Sequence, residues 1–321
     1  MKMNNKKICV VGAGKWGKNH IATLDELNSL GGVVDNDRGI LCKLKKKYPG
    51  IKLFDNIKSA MKHDFDGFIV ATQAETHFNL GYKLLSSNFP VLIEKPLALN
   101  TKDAEGLVKI KEEKDVTLMV GHLLLFHPAI QKIKELLISG RIGKLQYLYS
   151  NRLNLGTVRT EENVFWSFAP HDISVFQYLI ESEPINISSR GAAYLQSNLF
   201  DTTMTCLTYE NNIQGHIYVS WLHPFKEHRL VVVGDRGMIH FNDSAENKPL
   251  VIYEKGIDWD KGKPIKRDGP KELINYDSGL PLTLELQYFI RHLSKPPSIA
   301  SGENGLSVVK ILEKATRSMS Q

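Results

Sequence analysis

The stretch that most constrains the fold is Gly12-Ala13-Gly14-Lys15-Trp16-Gly17, set between the β-rich run Ile8–Val11 and a helix-like segment reaching about Leu30. Placed this way, each glycine has a mechanical task. Gly12 permits a tight turn, Gly14 lets backbone approach a pyrophosphate, and Gly17 allows the helix to lie close to the strand. The phosphates then meet the N–H groups at the helix start. Alone the pattern is weak, because glycine turns arise without ligands. Here the next apolar run, Gly32-Val33-Val34, ends in Asp35, eighteen residues past Gly17 and close to where an acid must lie to accept ribose hydroxyls. A dinucleotide site is expected over Gly12, Gly14, Lys15, Trp16, Gly17, Asp35 and Asn36. The carboxylate argues for NAD over NADP by repelling a 2′-phosphate, while Arg38 leaves NADP open. Asp35 also reads as a turn former before Asn36-Asp37.

Alternation continues past this point. Helical patterns over Ile40–Tyr48, Ile57–Lys62 and Thr72–Ser87 separate strand-like runs at Lys52–Phe54, Gly67–Ala71 and Val91–Ile93. A helix capped by Thr101 and a strand at Val116–Val120 follow. Such alternation means a doubly wound parallel sheet. The second half changes character. Successive β-rich runs from about Ile185 to Tyr253, with Asn211-Asn212 and Asp235-Arg236-Gly237 as turns, predict a mostly antiparallel sheet. Asp258–Pro270 is polar and reads as a loop, and two helices, Leu282–Leu293 and Gly305–Arg317, close the chain. The expected fold is α/β, with an N-terminal Rossmann domain (1–122) and a C-terminal α+β domain (123–321) built on a large open sheet.

With 321 residues the chain is too long for one ordinary core. The net charge of +6 comes from dispersed basic residues without interleaved aromatics, so nucleic acid is not expected as a partner. Cys9, Cys42 and Cys206 are scattered and odd in number, which suggests neither a disulfide framework nor a metal site. Met1–Lys7 is polar and no apolar run approaches a membrane span, so a cytoplasmic location is expected.

Glu94-Lys95-Pro96 ends the run Val91-Leu92-Ile93. Pro96 turns Lys95 away from helical geometry and leaves its ammonium at the mouth of a strand, where open parallel sheets bind ligands. The alternative is a solvated lysine after an edge strand.

These motifs carry a resemblance. The fingerprint, Ala71-Thr72 with His77 five residues past the threonine, Glu94-Lys95-Pro96, His171 opening a helix seventy-five residues beyond Pro96, and Ser301-Gly302-Glu303-Asn304-Gly305 together resemble the Gfo/Idh/MocA oxidoreductases over nearly the whole chain. Gly121–Pro128, Ser150–Gly156 and Trp166–Asp172 resemble, more narrowly, the WlbA/WbpB branch. Those enzymes oxidise the 3-hydroxyl of UDP-N-acetylglucosaminuronate ahead of a transamination that serves surface polysaccharide.

The resemblance implies an NAD-dependent alcohol oxidation with Lys95 and His171 as its catalytic groups, and with Thr72, His77, Glu94 and Lys95 beside the cofactor. A histidine suits the base and an ammonium the electrostatic partner, with the reverse division open. A UDP-sugar acid calls for bidentate arginines and amide donors, so Asn151, Arg152, Asn154, Arg159 and Asn163 are expected at the substrate with Lys95 and His171. Many relatives carry aspartate four residues before the catalytic histidine, where this chain has Ser167. Asp172 cannot replace it, since adjacent helical residues point roughly 100° apart. Two other functions stay open: a dehydrogenase of an uncharged sugar or cyclitol, and a non-catalytic NAD-binding sensor. The resemblance further implies a homo-oligomer, dimer or tetramer, and NADH recycling by 2-oxoglutarate.

Overall fold

Four of the N-terminal apolar runs are buried along their whole length, as strands of a parallel sheet covered on both faces must be. The computed structural model describes residues 6–319; residues 1–5, part of the polar Met1–Lys7 segment, and 320–321 lie outside the described residues. In chain order the first unit runs β1 (Ile8–Val11), α1 (Lys15–Glu26), β2 (Leu30–Val34), α2 (Arg38–Lys47), β3 (Lys52–Phe54), α3 (Ile57–Ala60), β4 (Gly67–Val70), α4 (His77–Ser86), β5 (Val91–Glu94), α5 (Thr101–Lys114) and β6 (Leu118–Gly121). The sheet order is β3-β2-β1-β4-β5-β6 and every pairing is parallel. Strand order reverses between β1 and β4, which places the ligand crevice at the carboxyl ends of these strands.

Helix starts follow from short polar side chains. Asp37 caps α2, accepting from Gly39 N at 2.7 Å and Ile40 N at 3.1 Å. Asn100, rather than Thr101, caps α5: its extended backbone lets Oδ1 accept from Asp103 N at 2.8 Å, and Thr101 is already helical.

The second unit comprises α6 (Pro128–Ile138), β7 (Leu145–Leu153), α7 (Val164–Ile180), β8 (Asn186–Ala192), β9 (Thr202–Thr208), β10 (Gln214–Ser220), β11 (Glu227–Gly234), β12 (Met238–Asn242), β13 (Leu250–Asp260) and β14 (Lys263–Leu273). Its sheet runs β14-β13-β12-β11-β7-β10-β9-β8, antiparallel except for the β7–β10 pair. α7 packs on β10, where the Phe176 ring lies close enough to Gly215 that an added Cβ would stand 3.0 Å from it.

Three features depart from the sequence reading. Asp258–Pro270 is not a loop: β13 and β14 continue as a hairpin, with Asp258 opposite Ile265 and Trp259 opposite Pro264. Lys261 and Gly262 close it with φ of +47° and +78°, the two-residue geometry that matches strand twist. Backbone pairing holds this arm, whose Ile257, Trp259 and Ile265 are exposed, so hydrophobic patterning gave no signal of it. The helix carrying His171 begins at Val164, with Pro170 inside it, so His171 lies two turns in and does not open the helix. The C-terminal segment also divides differently from 123–321. Gly279–Lys310, holding α8 (Pro281–Arg291) and the start of α9 (Gly302–Met319), belongs with the residues before His127, while the chain from Ile311 belongs with His127–Ser278.

That return covers β6. Thr117 Oγ1 donates to His292 O at 2.7 Å, Ser301 bridges to Met119, and the Phe126 and Tyr288 rings meet at 5.2 Å. A Cβ on Gly302 would come within 2.7 Å of Leu118, and one on Gly305 within 2.5 Å of Val120. The glycines of Ser301-Gly302-Glu303-Asn304-Gly305 thus let α9 lie against the strand. No described helix is long and apolar enough to cross a membrane. Gly305→Ala should overpack this contact and lower stability by about 1–3 kcal/mol, read as a shifted urea midpoint at unchanged slope.

Candidate active site

The fingerprint glycines divide their work as their surroundings require. Gly12 has φ +92°, and a Cβ there would meet Ala71 O and Thr72 Cγ2 at 2.8 Å. A Cβ on Gly17 would fall within 1.9 Å of Gly12 O, so only glycine lets α1 close on the turn. Gly14, the N-cap of α1, is the opposite case: its Cβ would meet nothing within 4 Å, which leaves the helix N-terminus open to a phosphate. Lys15 and Trp16 are exposed on the first turn. Asp35, at the end of β2, accepts Ala13 N at 2.7 Å through Oδ2 and Asp37 N at 2.9 Å through Oδ1. One carboxylate therefore stands beside the glycine turn at the place where ribose hydroxyls are read. Asn36 and Arg38 are exposed just beyond it. These residues fit the adenosine half of NAD.

On the next strands, the Thr72 turn and the Glu94-Lys95-Pro96 turn are stitched together by His77. Its Nδ1 donates to Pro96 O at 2.8 Å, and its Nε2 lies 3.2 Å from Thr72 O. Burial holds the ring below its usual pKa despite these carbonyls, so the neutral ring gives its one proton to the shorter contact. His77 is 1% exposed, and its ring holds the two backbone turns together. The Lys95–Pro96 peptide is cis.

Glu94 is the centre of a buried set that the sequence reading did not assemble. His20, on the inner face of α1, donates Nε2–H to Glu94 Oε1 at 2.7 Å, and Glu94 Oε2 accepts the Lys95 amide at 3.2 Å. Burial pushes the Glu94 carboxyl upward, but the His20 hydrogen bond and the His20 and Lys95 charges outweigh it, so it stays ionised below the usual range. Gly121, its partner across β6, leaves room for it: a Cβ there would lie 2.9 Å from Oε2. His122 follows, fully buried, its two ring nitrogens without hydrogen-bond partners, its pKa pushed by burial down to about 4. His20 and His122 had a faint signal, each standing where the inward pattern of an element asks for an apolar side chain.

In the second unit, Arg152 forks onto Asp172, Nε to Oδ2 at 2.9 Å and Nη2 to Oδ1 at 3.0 Å. Burial opposes the charge on Arg152, and Asp172 more than compensates, raising its pKa. Across the β7–β11 register, His228 is driven by burial and by Arg152 down to about 3, and its neutral Nδ1 lies 3.4 Å from Nη1. Arg152 thus anchors α7 one residue from His171. Asn151, the next residue on β7, points to the opposite face and donates to Glu227 at 2.6 Å. Strand alternation thus turns Asn151 and Arg152, both expected at the substrate, to opposite faces of the sheet. Asn163 caps α7, accepting Trp166 N at 3.1 Å; Asn154 N donates to Ser220 O; and exposed Arg159 lies 3.1 Å from Glu162. Among the described residues no three His, Cys, Asp or Glu side chains converge as metal ligands.

Residues 6–122 match a family model described as an oxidoreductase family with an NAD-binding Rossmann fold, and residues 130–240 match the Gfo/Idh/MocA C-terminal domain. The chain belongs to the Gfo/Idh/MocA family of oxidoreductases. NAD is its cofactor. Among Gfo/Idh/MocA relatives, the UDP-N-acetylglucosamine 3-dehydrogenase of Acidithiobacillus ferrooxidans is 24% identical over 288 residues, 89% of this chain and 88% of that one. Its solved structure superposes with a TM-score of 0.85 at 22% identity, over 97% of this chain and 96% of its own. An inositol 2-dehydrogenase of Rhizobium meliloti is 22% identical over 84% of this chain and 83% of its own. The WlbA dehydrogenase of Bordetella pertussis, solved with NADH and UDP-GlcNAcA, has a TM-score of 0.79 at 18% identity, over 98% of this chain and 97% of its own.

Two outcomes are expected. Asp35→Ala should weaken NAD binding by about 1–3 kcal/mol and relax discrimination against NADP. Asp35→Asn, which keeps an acceptor for Ala13 N, should recover the turn but not the discrimination; calorimetric titration with both nucleotides measures this. His122 gives an acid response. Its folded pKa lies below the unfolded value, so the unfolded chain binds the extra proton first and stability falls as pH drops from about 6.5 to about 4. The loss approaches about 3 kcal/mol, and urea unfolding of His122→Gln across that window should show a shallower slope.

Proposed function

We propose that this chain oxidises the 3-hydroxyl of a UDP-N-acetylhexosaminuronic acid, with UDP-N-acetylglucosaminuronate as the first substrate to test, to the 3-keto sugar in a sugar-nucleotide pathway of surface polysaccharide. One observation carries the chemistry: Lys95 stands at the carboxyl end of β5 on a backbone amide held by buried, ionised Glu94, beside the family's NAD cradle. The substrate class is supported by the Acidithiobacillus ferrooxidans relative, which is named for a UDP-sugar 3-oxidation, and by WlbA, which holds a UDP-sugar acid with NADH.

NAD, held at the Gly14 turn and Asp35, would supply the hydride acceptor. His171 takes the hydroxyl proton, and the Lys95 ammonium stabilises the alkoxide as charge develops. Arg159 and Asn154 are the side chains proposed for the anionic substrate; Asn151, on the sheet face opposite Arg152 and α7, is not among them. The fork of Arg152 is already matched to Asp172, so Arg152 acts through α7. That same observation favours a second reading, an uncharged cyclitol, which several inositol dehydrogenase relatives support. NADH recycling by 2-oxoglutarate and self-association into a homo-oligomer belong to the first reading.

Single-turnover NADH formation from UDP-N-acetylglucosaminuronate, UDP-N-acetylglucosamine and myo-inositol separates the readings. Lys95→Ala and His171→Asn should each lower the rate by about 10²–10⁴-fold with NAD affinity retained. Wild-type rates in either variant remove the catalytic roles, and faster turnover of myo-inositol removes the nucleotide sugar.

A further inference from the structure

α8 is apolar along its inner face except at Glu285, which stands where the run of Leu286, Phe289 and Ile290 would take another apolar residue. The Glu285 carboxyl is fully buried and neither oxygen has a hydrogen-bond partner. An isolated acid in such a place is costly to keep charged, and nothing assigned above employs it. α8 packs against α1, which carries His20, and against the short 3-10 turn Leu123–Phe126, which follows His122. The buried titratable groups carried on or next to those elements are His20 and His122, with Glu94 hydrogen-bonded to His20 and the Glu94 charge acting on Glu285.

We propose that Glu285 and Glu94 form a buried two-carboxyl, one-proton pair, in which Glu285 keeps the proton and Glu94 remains the anion held by His20 and the Lys95 amide. Two carboxylates in one dry compartment repel, so the second proton leaves only at high pH. The division between them follows from their partners: Glu94 has a ring N–H and a backbone N–H to stabilise its charge, and Glu285 has none. Burial, with the Glu94 charge adding to it, pushes Glu285 well above the usual carboxylate range. Glu285 is thus a positioning residue. While protonated it leaves Glu94 as the one buried anion behind Lys95; once its proton passes to solvent, a second negative charge pushes Glu94 away from His20.

The primary test is infrared spectroscopy of the folded full chain at neutral pH. The carbonyl band of a protonated carboxylic acid is expected in the wild type and not in Glu285→Gln; a wild type without it overturns the proposal. In Glu94→Gln the band should titrate away at lower pH than in the wild type, and an unchanged titration overturns the pairing even if Glu285→Gln does not fold. Urea unfolding gives a linked readout. The folded pKa is raised, so the folded state binds the extra proton and stability declines as pH rises above about 4.5. The unfolding constant of the wild type should therefore gain about tenfold per pH unit over that of Glu285→Gln until the band is lost. A ratio that does not change with pH overturns the assignment. A kinetic arm rests on the function proposed above: the alkaline fall in single-turnover rate should track loss of the band in the wild type and be absent in Glu285→Gln. Superimposable profiles remove the positioning role. A wild type that forms no NADH from any of the three substrates defeats the function instead, and the infrared result still decides the acid pair.

Discussion

A 2.7 Å hydrogen bond from His20 to Glu94, made out of contact with water, is the interaction on which the arrangement at the end of β5 depends. A carboxylate taken out of water needs donors, and Glu94 finds one on α1 and another in the amide of Lys95. The same charge therefore ties the glycine-turn helix to the residue that ends the strand. His77 adds a second tie through Pro96 and Thr72, and the Lys95 backbone is fixed from both sides. Pre-organisation of this kind is what the role proposed for the Lys95 ammonium requires, since a fixed charge meets a developing alkoxide without rearranging protein.

The glycine turn shows how one short motif serves packing and binding at different positions. Gly12 and Gly17 are needed because backbone approaches too closely for a side chain, and they would be needed with no ligand at all. Gly14 alone is surrounded by open space. Asp35 also orders that turn, its two oxygens accepting the Ala13 and Asp37 amides. A fingerprint that reads as a binding motif is thus largely a folding motif.

In the second unit the buried Arg152–Asp172 fork plays the corresponding part. Breaking such a pair leaves an uncompensated charge in a dry place, so the pair fixes α7 in one setting relative to β7. His171 is carried on that helix next to Asp172. Neutral His228 beneath the guanidinium adds an acceptor without adding charge.

By itself the sequence determined the strand–helix alternation, the fingerprint, the acid at the end of the second strand, the Glu94-Lys95-Pro96 turn and the mostly antiparallel second sheet. All of these are local: each depends on spacing and side-chain type within one or two elements. Tertiary structure decided what depends on distant partners. His20, His122 and Glu285 look like misplaced polar residues until α1, β5, β6 and α8 are assembled, because their meaning is the desolvated carboxylate at Glu94. Arg152 reads as a ligand-gripping arginine until Asp172, twenty residues on, is found in its fork. The β13–β14 arm has no hydrophobic period because backbone hydrogen bonds hold it rather than burial. The return of residues 279–310 to the first unit was hidden for a related reason: covering β6 is a demand of the whole sheet, and nothing in a contiguous stretch of chain announces which distant helix will meet it.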